Sequence, residues 1–491
     1  MICQIHLLHK THCSNISIFL FCVTKNYYAF KRFPSILFLA TVFKNQSNTS
    51  EGDDVLKHRT TIAWVFLIIL LGFFTVKEVI DINQQAQEEI RIEEESARKK
   101  EAERKRIEQE EKKRKNIMEE KRKKEQQQRK AKKGKVEIKV TGVGDNLVHD
   151  IFWNTNPNRD KQGHLTYDKF YKPISKYAKE ADLAYINGET VLCEEDEANF
   201  SGYPVFHSPI AIADAIDKAG FNWMSVASNH SMDAGVDGMQ KQLKYFKKFK
   251  NITITGANLI EKERAKPVVK KIKGVRIGLM TYTYGTNGIP VPAGYEHLIN
   301  LYHNADGSIN YDQIEEDINK LKKVSDVQII SMHWGDEYHT EPNAEQQELA
   351  RFFNSKGIEV VIGEHPHVIQ PAEWLEDKES GQKTLVYYSL GNFLSCQNNN
   401  ENMIGGKCDF TIVYDLDKKQ AKIKDAKFSP TVTHYNSRFQ DFAGYSFKDY
   451  TDQLASEHYC TGKGQKMTKE WIREYFSKIA GQPENIEIEL D

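Results

Sequence analysis

The chain is poor in cysteine and proline and has almost no net charge, and each scarcity excludes something. Seven cysteines in 491 residues, with no CxxC pair, are too few and too scattered for a disulfide scaffold. Cys396 and Cys408 flank an Asn/Gly-rich loop; they read as two unpaired thiols, or as a bridge if the domain is exported. Lys+Arg 68 against Asp+Glu 69 gives a net charge of -1, so no global electrostatic field favours nucleic acid, and none is expected as a partner. There is no internal repeat. Methionine is absent between Met1 and Met118, and Ile16–Val23 and Ser35–Phe43 are too short to span a bilayer. Residues 1–54 are therefore expected to be an upstream extension with the true start near Val55.

One long apolar run is present. Residues 60–80 read TTIAWVFLIILLGFFTVKEVI, close to the about 20 residues that cross a hydrocarbon core, and Trp64 to Val76 carries no polar stripe. Lys57, His58 and Arg59 precede it, which by the positive-inside rule places the N-terminus in the cytoplasm. The expectation is an uncleaved single-pass anchor in the cell membrane with an extracellular globular domain. Residues 81–134 are mostly Glu, Lys, Arg and Gln, and their apolar residues hold no heptad register. Glu–Lys and Glu–Arg pairs at i,i+4 predict a solvated helical spacer, about 80 Å long at about 1.5 Å per residue. A coiled-coil dimer is the alternative.

From residue 135 the pattern becomes α/β. Strands are predicted at Val136–Val143, Leu183–Ile186, Trp223–Val226, Ile252–Thr255, Val275–Thr281, Val327–Met332, Ile358–Ile362 and Thr384–Tyr388. Helices are predicted at Tyr167–Glu180, Pro209–Ala219, Val236–Phe249, Tyr311–Val324, Ala344–Ser355 and Lys469–Ala480, with Gly220 as a helix stop. Phe410–Tyr414 and Ala421–Phe428 read as an antiparallel pair. Alternating strands and helices predict a largely parallel sheet covered on both faces, with ligands gathered at the carboxyl ends of its strands.

Five short stretches put metal-binding side chains at such ends: Gly144-Asp145, Asn187-Gly188-Glu189, Ser228-Asn229-His230, His333-Trp334-Gly335 and His365-Pro366-His367. Singly, each also reads as a turn, a helix cap or a core histidine. Jointly, carboxylate, amide and imidazole groups delivered from successive strands suit a two-metal hydrolytic centre. The proline between His365 and His367 predicts an extended backbone, with each ring facing a different ion. Glu364, Trp334 and Tyr338 read as supporting or substrate-facing groups. Ser389–Phe393 follows a strand in the same way but offers no obvious ligand.

In their order, these motifs resemble the CapA (capsule synthesis, poly-γ-glutamate biosynthesis) family of the metallophosphoesterase-like superfamily. The carriers include Asn187-Gly188-Glu189-Thr190, Phe206–Pro209, Ser228-Asn229-His230-Ser231-Met232-Asp233-Ala234-Gly235, Thr255-Gly256-Ala257-Asn258, Gly363-Glu364-His365-Pro366-His367 and Tyr388–Phe393. The resemblance implies a four-layer sandwich of two sheets flanked by helices over residues 135–491. It implies a metal set of Asp145, Glu189, Asn229, His333, His365 and His367, with Glu189 bridging and His230 protonating the leaving group. Two divalent ions, Mn, Fe or Zn, suit that mixed N/O set. The implied partners are an anionic polymer such as poly-γ-glutamate, membrane-embedded synthase or export proteins, and the lipid bilayer. Two departures stand out: the superfamily's Asp-x-His opening is missing, since Asn146-Leu147 follows Asp145, and Gly188 stands where the family usually has leucine. The expected function is a metal-dependent, phosphoesterase-like hydrolase acting in polymer synthesis or export. The alternatives are a non-catalytic accessory subunit that binds the polymer or its synthase, and a secreted nuclease or nucleotidase.

Overall fold

The computed structural model describes residues 134–491 and, before them, most of 80–119. Two units divide between residues 120 and 121. In the first, every described residue from 80 to 119 is helical and exposed. Ion pairs such as Lys99–Glu95 at 2.9 Å and Lys105–Glu101 at 2.7 Å lie along it, each worth under about 1 kcal/mol in water. Ile90, Ile92, Ile107 and Ile117 are all exposed, so among the described residues no apolar seam of a coiled coil is buried.

The expectation of a single-pass membrane protein requires correction. Among the described residues no helix is long and apolar enough to cross a membrane. Of the apolar run 60–80, all but Ile80 lies outside the described residues, as does the extension at 1–54.

In the second unit the strands, in chain order, are β1 (Lys135–Asn146), β2 (Leu183–Gly188), β3 (Leu192–Glu194), β4 (Ser208–Pro209), β5 (Trp223–Ser225), β6 (Thr253–Thr255), β7 (Val268–Ile272), β8 (Val275–Thr283) and β9 (Val327–His333). They continue with β10 (Val360–Glu364), β11 (Ala372–Glu376), β12 (Lys383–Tyr387), β13 (Asn392–Leu394), β14 (Ile404–Asp415), β15 (Gln420–His434), β16 (Ala443–Ser446) and β17 (Glu487–Ile488). One sheet runs β16-β15-β14-β1-β2-β5-β6, with β13 also on β1 and β17 on β15. The other runs β11-β12-β10-β9-β8-β7, and β3-β4 form a small pair. β1, β2, β5 and β6 are parallel, as are β8, β9, β10 and β12. β14, β15 and β16 are antiparallel, and so are the edge strands β7 and β11. The sheets are therefore mixed, where the sequence pattern predicted a largely parallel one.

Period-two alternation explains how the second sheet is covered. Ile277, Leu279, Val327, Ile329, Val360, Ile362, Leu385 and Tyr387 join the core that also holds Val140, Tyr185 and Ile186 of the first sheet. Their neighbours Met280, Tyr282, Ile330, Met332, Val361 and Val386 pack instead with Ile314, Ile318 and Leu321 of helix Tyr311–Val324 and with Leu349 and Phe353 of helix Ala344–Ser355. Both helices match their predicted bounds and start at side-chain caps, Asn310 and Asn343. The predicted helix Tyr167–Glu180 is broken into Asp168–Tyr171 and Ser175–Glu180. Pro173 sits in the gap, where it has no N–H to give to the helical hydrogen-bond ladder.

Polar contacts tie the sheets together where their apolar sides meet. Tyr185 Oη lies 2.6 Å from Ser331 Oγ and 2.9 Å from Ser225 Oγ. Thr255 and Thr281 bring their hydroxyls to 2.6 Å. These bonds set β2, β5 and β6 against β8 and β9, so the carboxyl ends of both sheets' parallel strands open on one place.

At the opposite end, just before β10, Glu359 accepts a hydrogen bond from Gln328 N–H at 2.8 Å. Burial pushes its carboxyl up to about 7, against the pull of that N–H and of Lys322. A carboxyl raised on folding contributes stability below the unfolded value near 4.5 and loses it as pH rises through about 7. Glu359→Gln should therefore raise the melting temperature at pH 8 and change it little at pH 4, as thermal unfolding at the two pH values would report.

Candidate metal centre

Five parallel strands and the loops after them deliver the site. Asp145 is the penultimate residue of β1 and is fully buried. Its N–H donates to Gly391 O at 2.8 Å. A Cβ on Gly144 would stand 1.9 Å from that same oxygen, so only glycine lets the two segments meet. Glu189 follows β2, Asn229 and His230 follow β5, His333 ends β9, and His365 and His367 follow β10.

The predicted residues come together. Ligating atoms of Glu189, His333 and His365 lie within 4.8 Å of one another, as do those of Asp145, Glu189 and His367. Glu189 belongs to both groups. His367 Nδ1 lies 3.1 Å from Asp145 Oδ2, and its Nε2 lies 3.5 Å from Glu189 Oε1. His333 Nε2 lies 2.9 Å from Asn229 Oδ1 and 3.9 Å from Glu189 Oε1. His230 stands beside these groups, its Nδ1 2.7 Å from Asp233 Oδ2.

The electrostatics are those of an unneutralised buried cluster. Both oxygens of Glu189 and Nδ1 of His365 are buried without a hydrogen-bond partner among the described residues. Burial drives the Glu189 carboxyl well above the usual range, Asp145 adding to the effect and His367 opposing it. Burial likewise holds the His333 and His365 imidazoles well below the ordinary value, which leaves each a neutral ring with a lone pair to offer. Burial would lower His367 too, but Glu189 and Asp145 beside it together raise it to about 9. Glu364, at the end of β10, is raised by burial and then by Asp145, which favours a neutral acid able to donate to that carboxylate. The donor set is mixed oxygen and nitrogen, and its orphaned buried atoms fit a divalent cation.

The backbone at the two histidines differs from the expectation. His365 has φ 98° and His367 φ 59°, both in the left-handed region, where an extended chain was predicted. Non-glycine residues held there cost of order 1–3 kcal/mol each. The strain turns the two rings, whose centroids are 6.0 Å apart, toward the same pocket.

A sequence profile of the bacterial capsule synthesis protein PGA_cap matches residues 139–397, which include every residue above. The chain belongs to that capsule synthesis family. Among its relatives, the PGA biosynthesis protein CapA of Bacillus subtilis (strain 168) is 33% identical over 185 residues, 35% of this chain and 42% of that protein. The capsule biosynthesis protein CapA of Bacillus anthracis is 27% identical over 230 residues, 46% of this chain and 54% of that protein. The chain thus spans about half the length of the curated relatives it matches. Solved structures with a similar backbone include a novel phosphatase from Mycoplasma pneumoniae (14% identity, TM-score 0.37, covering 61% of this chain and 95% of that one). A hypothetical protein from Thermus thermophilus aligns at 12% identity and TM-score 0.34, over 60% of this chain and 98% of that one.

Sequence reasoning passed over several groups. Asn392 opens β13 opposite Asp145 and brings Oδ1 to 3.1 Å from His367 Nδ1, so the Ser389–Phe393 stretch does supply a contact. Asn187 donates to Asp145 Oδ1 at 2.8 Å. Asp233 is visible in the sequence after Asn229-His230 but was given no role, although an acid three residues after a histidine in a tight turn is a readable signal. Tyr284, with its ring 4.8 Å from that of His365, carried no signal at all. Cys193, Cys396, Cys408 and Cys460 are free thiols.

The family departure at Gly188 has a steric account. A Cβ there would lie 2.0 Å from the Met224 terminal methyl and 3.1 Å from Ser225 O, so Met224 of β5 fills the space a residue-188 side chain would take. Gly188→Leu alone should destabilise by about 1–3 kcal/mol through overpacking. Adding Met224→Ala should recover much of that loss, measured by denaturant unfolding of the single and double variants.

Proposed function

We propose that this protein acts in capsule or poly-γ-glutamate biosynthesis as a two-metal hydrolase of the phosphoesterase type. The observation that carries the reading is Glu189, a buried carboxylate with no hydrogen-bond donor that belongs to two ligand groups at once. Leaving such a charge uncompensated costs several kcal/mol, and a cation on either side removes the penalty. Glu189, His333, His365 and Asn229 would hold one ion; Asp145, Glu189 and His367 would hold the other. The two sheets sharing one core, with helices on the outer face of the second, support a four-layer metallophosphoesterase-like sandwich as the finer description of residues 135–491.

When bound, two divalent ions supply Lewis acidity and lower the pKa of water. The chain's own residues do the rest. Asp233 Oδ2 accepts from both His230 Nδ1 and the Phe206 N–H, the latter at 2.8 Å. It thereby fixes the ring and leaves Nε2 as the atom that hands a proton to a leaving-group oxygen. Asn392 and Asp145 hold His367 from Nδ1, which leaves its Nε2 toward Glu189. The burial of Asp145, Glu189, His333, His365 and His367 keeps bulk water from screening the charges.

Mn-dependent hydrolysis of bis(p-nitrophenyl) phosphate tests the reading. His365→Ala should abolish it, and His230→Ala should lower kcat by about a hundredfold or more with Mn still bound. An inactive native protein supplied with Mn would refute the hydrolase. A separate readout concerns stability: Mn should raise the melting temperature of the native protein and not of Glu189→Gln. Without metal, Glu189→Gln should melt at or above the native protein, because it removes a buried carboxyl that has no hydrogen-bond donor.

A further inference from the structure

Three tyrosine rings in residues 134–491 are exposed where most aromatics are buried, Tyr203 at 77%, Tyr338 at 54% and Tyr295 at 38%, and the first two lie near the metal centre. Tyr338 and Tyr203 are one and two ring contacts from the metal centre. Tyr338 lies 5.9 Å from the ring of His367. Tyr203 lies 6.5 Å from Phe206, which packs edge-on against His230 at 4.7 Å. One tyrosine therefore flanks the ligand side and the other the proton-donor side.

Tyr338 is held there by its surroundings. Its φ is 64°, a left-handed conformation that a bulky residue adopts only when its neighbours enforce it. Its N–H donates to Pro366 O at 2.7 Å, the carbonyl between the two histidines. Its hydroxyl accepts from Gln397 Nε2 at 3.2 Å, and Gln397 Oε1 accepts from Asn392 Nδ2 at 2.9 Å. Asn392 in turn contacts His367, so ring contact and hydrogen bonds form a closed circuit from Tyr338 to the centre. Both rings thus sit about the one metal centre, Tyr338 against His367 and Tyr203 beyond Phe206 from His230. Val205, 41% exposed, adds an apolar neighbour to Tyr203.

An exposed ring that contributes nothing to the core costs solubility and, at Tyr338, backbone strain; a ligand face offsets both. We propose that Tyr203 and Tyr338 form a two-sided aromatic grip for the non-reacting part of the substrate, selecting a phosphoester whose leaving group carries a ring with an apolar face. The inference rests on the phosphoester reading above. Because His230 serves the leaving group, Tyr203 on its side is the main selector, and Tyr338 closes the opposite wall. Flat aryl and pyranose rings share the chemistry, since both present C–H or π faces to an aromatic plane.

The full-length chain with Mn, titrated calorimetrically with inorganic phosphate, phenyl phosphate and glucose 1-phosphate, tests this. At least one ring-bearing ligand should bind about tenfold more tightly than inorganic phosphate, and which one does so identifies the ring. The ratio should fall toward one in Tyr203→Ala and Tyr338→Ala and persist in both Tyr→Phe variants. Equal binding of all three ligands, a ratio that survives in the double alanine variant, or loss in the phenylalanine variants would overturn the grip and leave the phosphoester reading standing. Failure of the native chain to bind any of the three would sink both.

Discussion

A buried carboxylate normally survives in a fold because N–H or O–H donors replace the water it has lost. Glu189 has none among the described residues, and the Nε2 atoms of His367 and His333 stand off at 3.5 and 3.9 Å. The arrangement is costly as it stands and economical around positive charge. Around Glu189 the neutral imidazoles, the Asn229 amide and the Asp145 carboxylate all turn their acceptors the same way. In the proposed reading, divalent cations supply the charge around which these groups are arranged.

That organisation depends on the two sheets meeting in a fixed register. Tyr185, Ser225 and Ser331 form the polar floor, and Ser225 Oγ reaches on to Asn187 Oδ1 at 2.5 Å, which joins the floor to Asp145. A slip of one residue in β2 or β9 would turn Asn187 or His333 to the opposite face. Gly144 permits the approach of β1 to Gly391, and the left-handed turns at His365 and His367 aim the rings. Close packing and left-handed turns thus meet at the site end of the domain.

Much of this was legible in the sequence because strand ends are marked twice, by an apolar run and by the Gly or Asn that follows it. Asp145, Glu189, Asn229, His230, His333, His365 and His367 were readable for that reason, as were the helices Tyr311–Val324, Ala344–Ser355 and Lys469–Ala480, whose periodicity is strong and whose caps are Asn or Thr. Asn392 was missed because its contribution depends on β13 pairing with β1, a contact some 250 residues apart along the chain that no local pattern encodes. The backbone at His365-Pro366-His367 was misread because a general preference before proline yields to a site that over-determines the turn. The antiparallel pair of β14 and β15 was readable, but its joining to the parallel strands was missed because β14 arrives late and pairs with β1, the first strand of the domain. The apolar run at 60–80 gave a membrane expectation that finds no spanning helix among the described residues.

The central claim is that Glu189 lies between two cations. Anomalous diffraction from crystals of the protein grown with Mn tests it most directly. The account predicts two peaks per chain, about 3.5–4 Å apart, one on each side of the Glu189 carboxylate. A single peak, or peaks remote from Glu189, would contradict it.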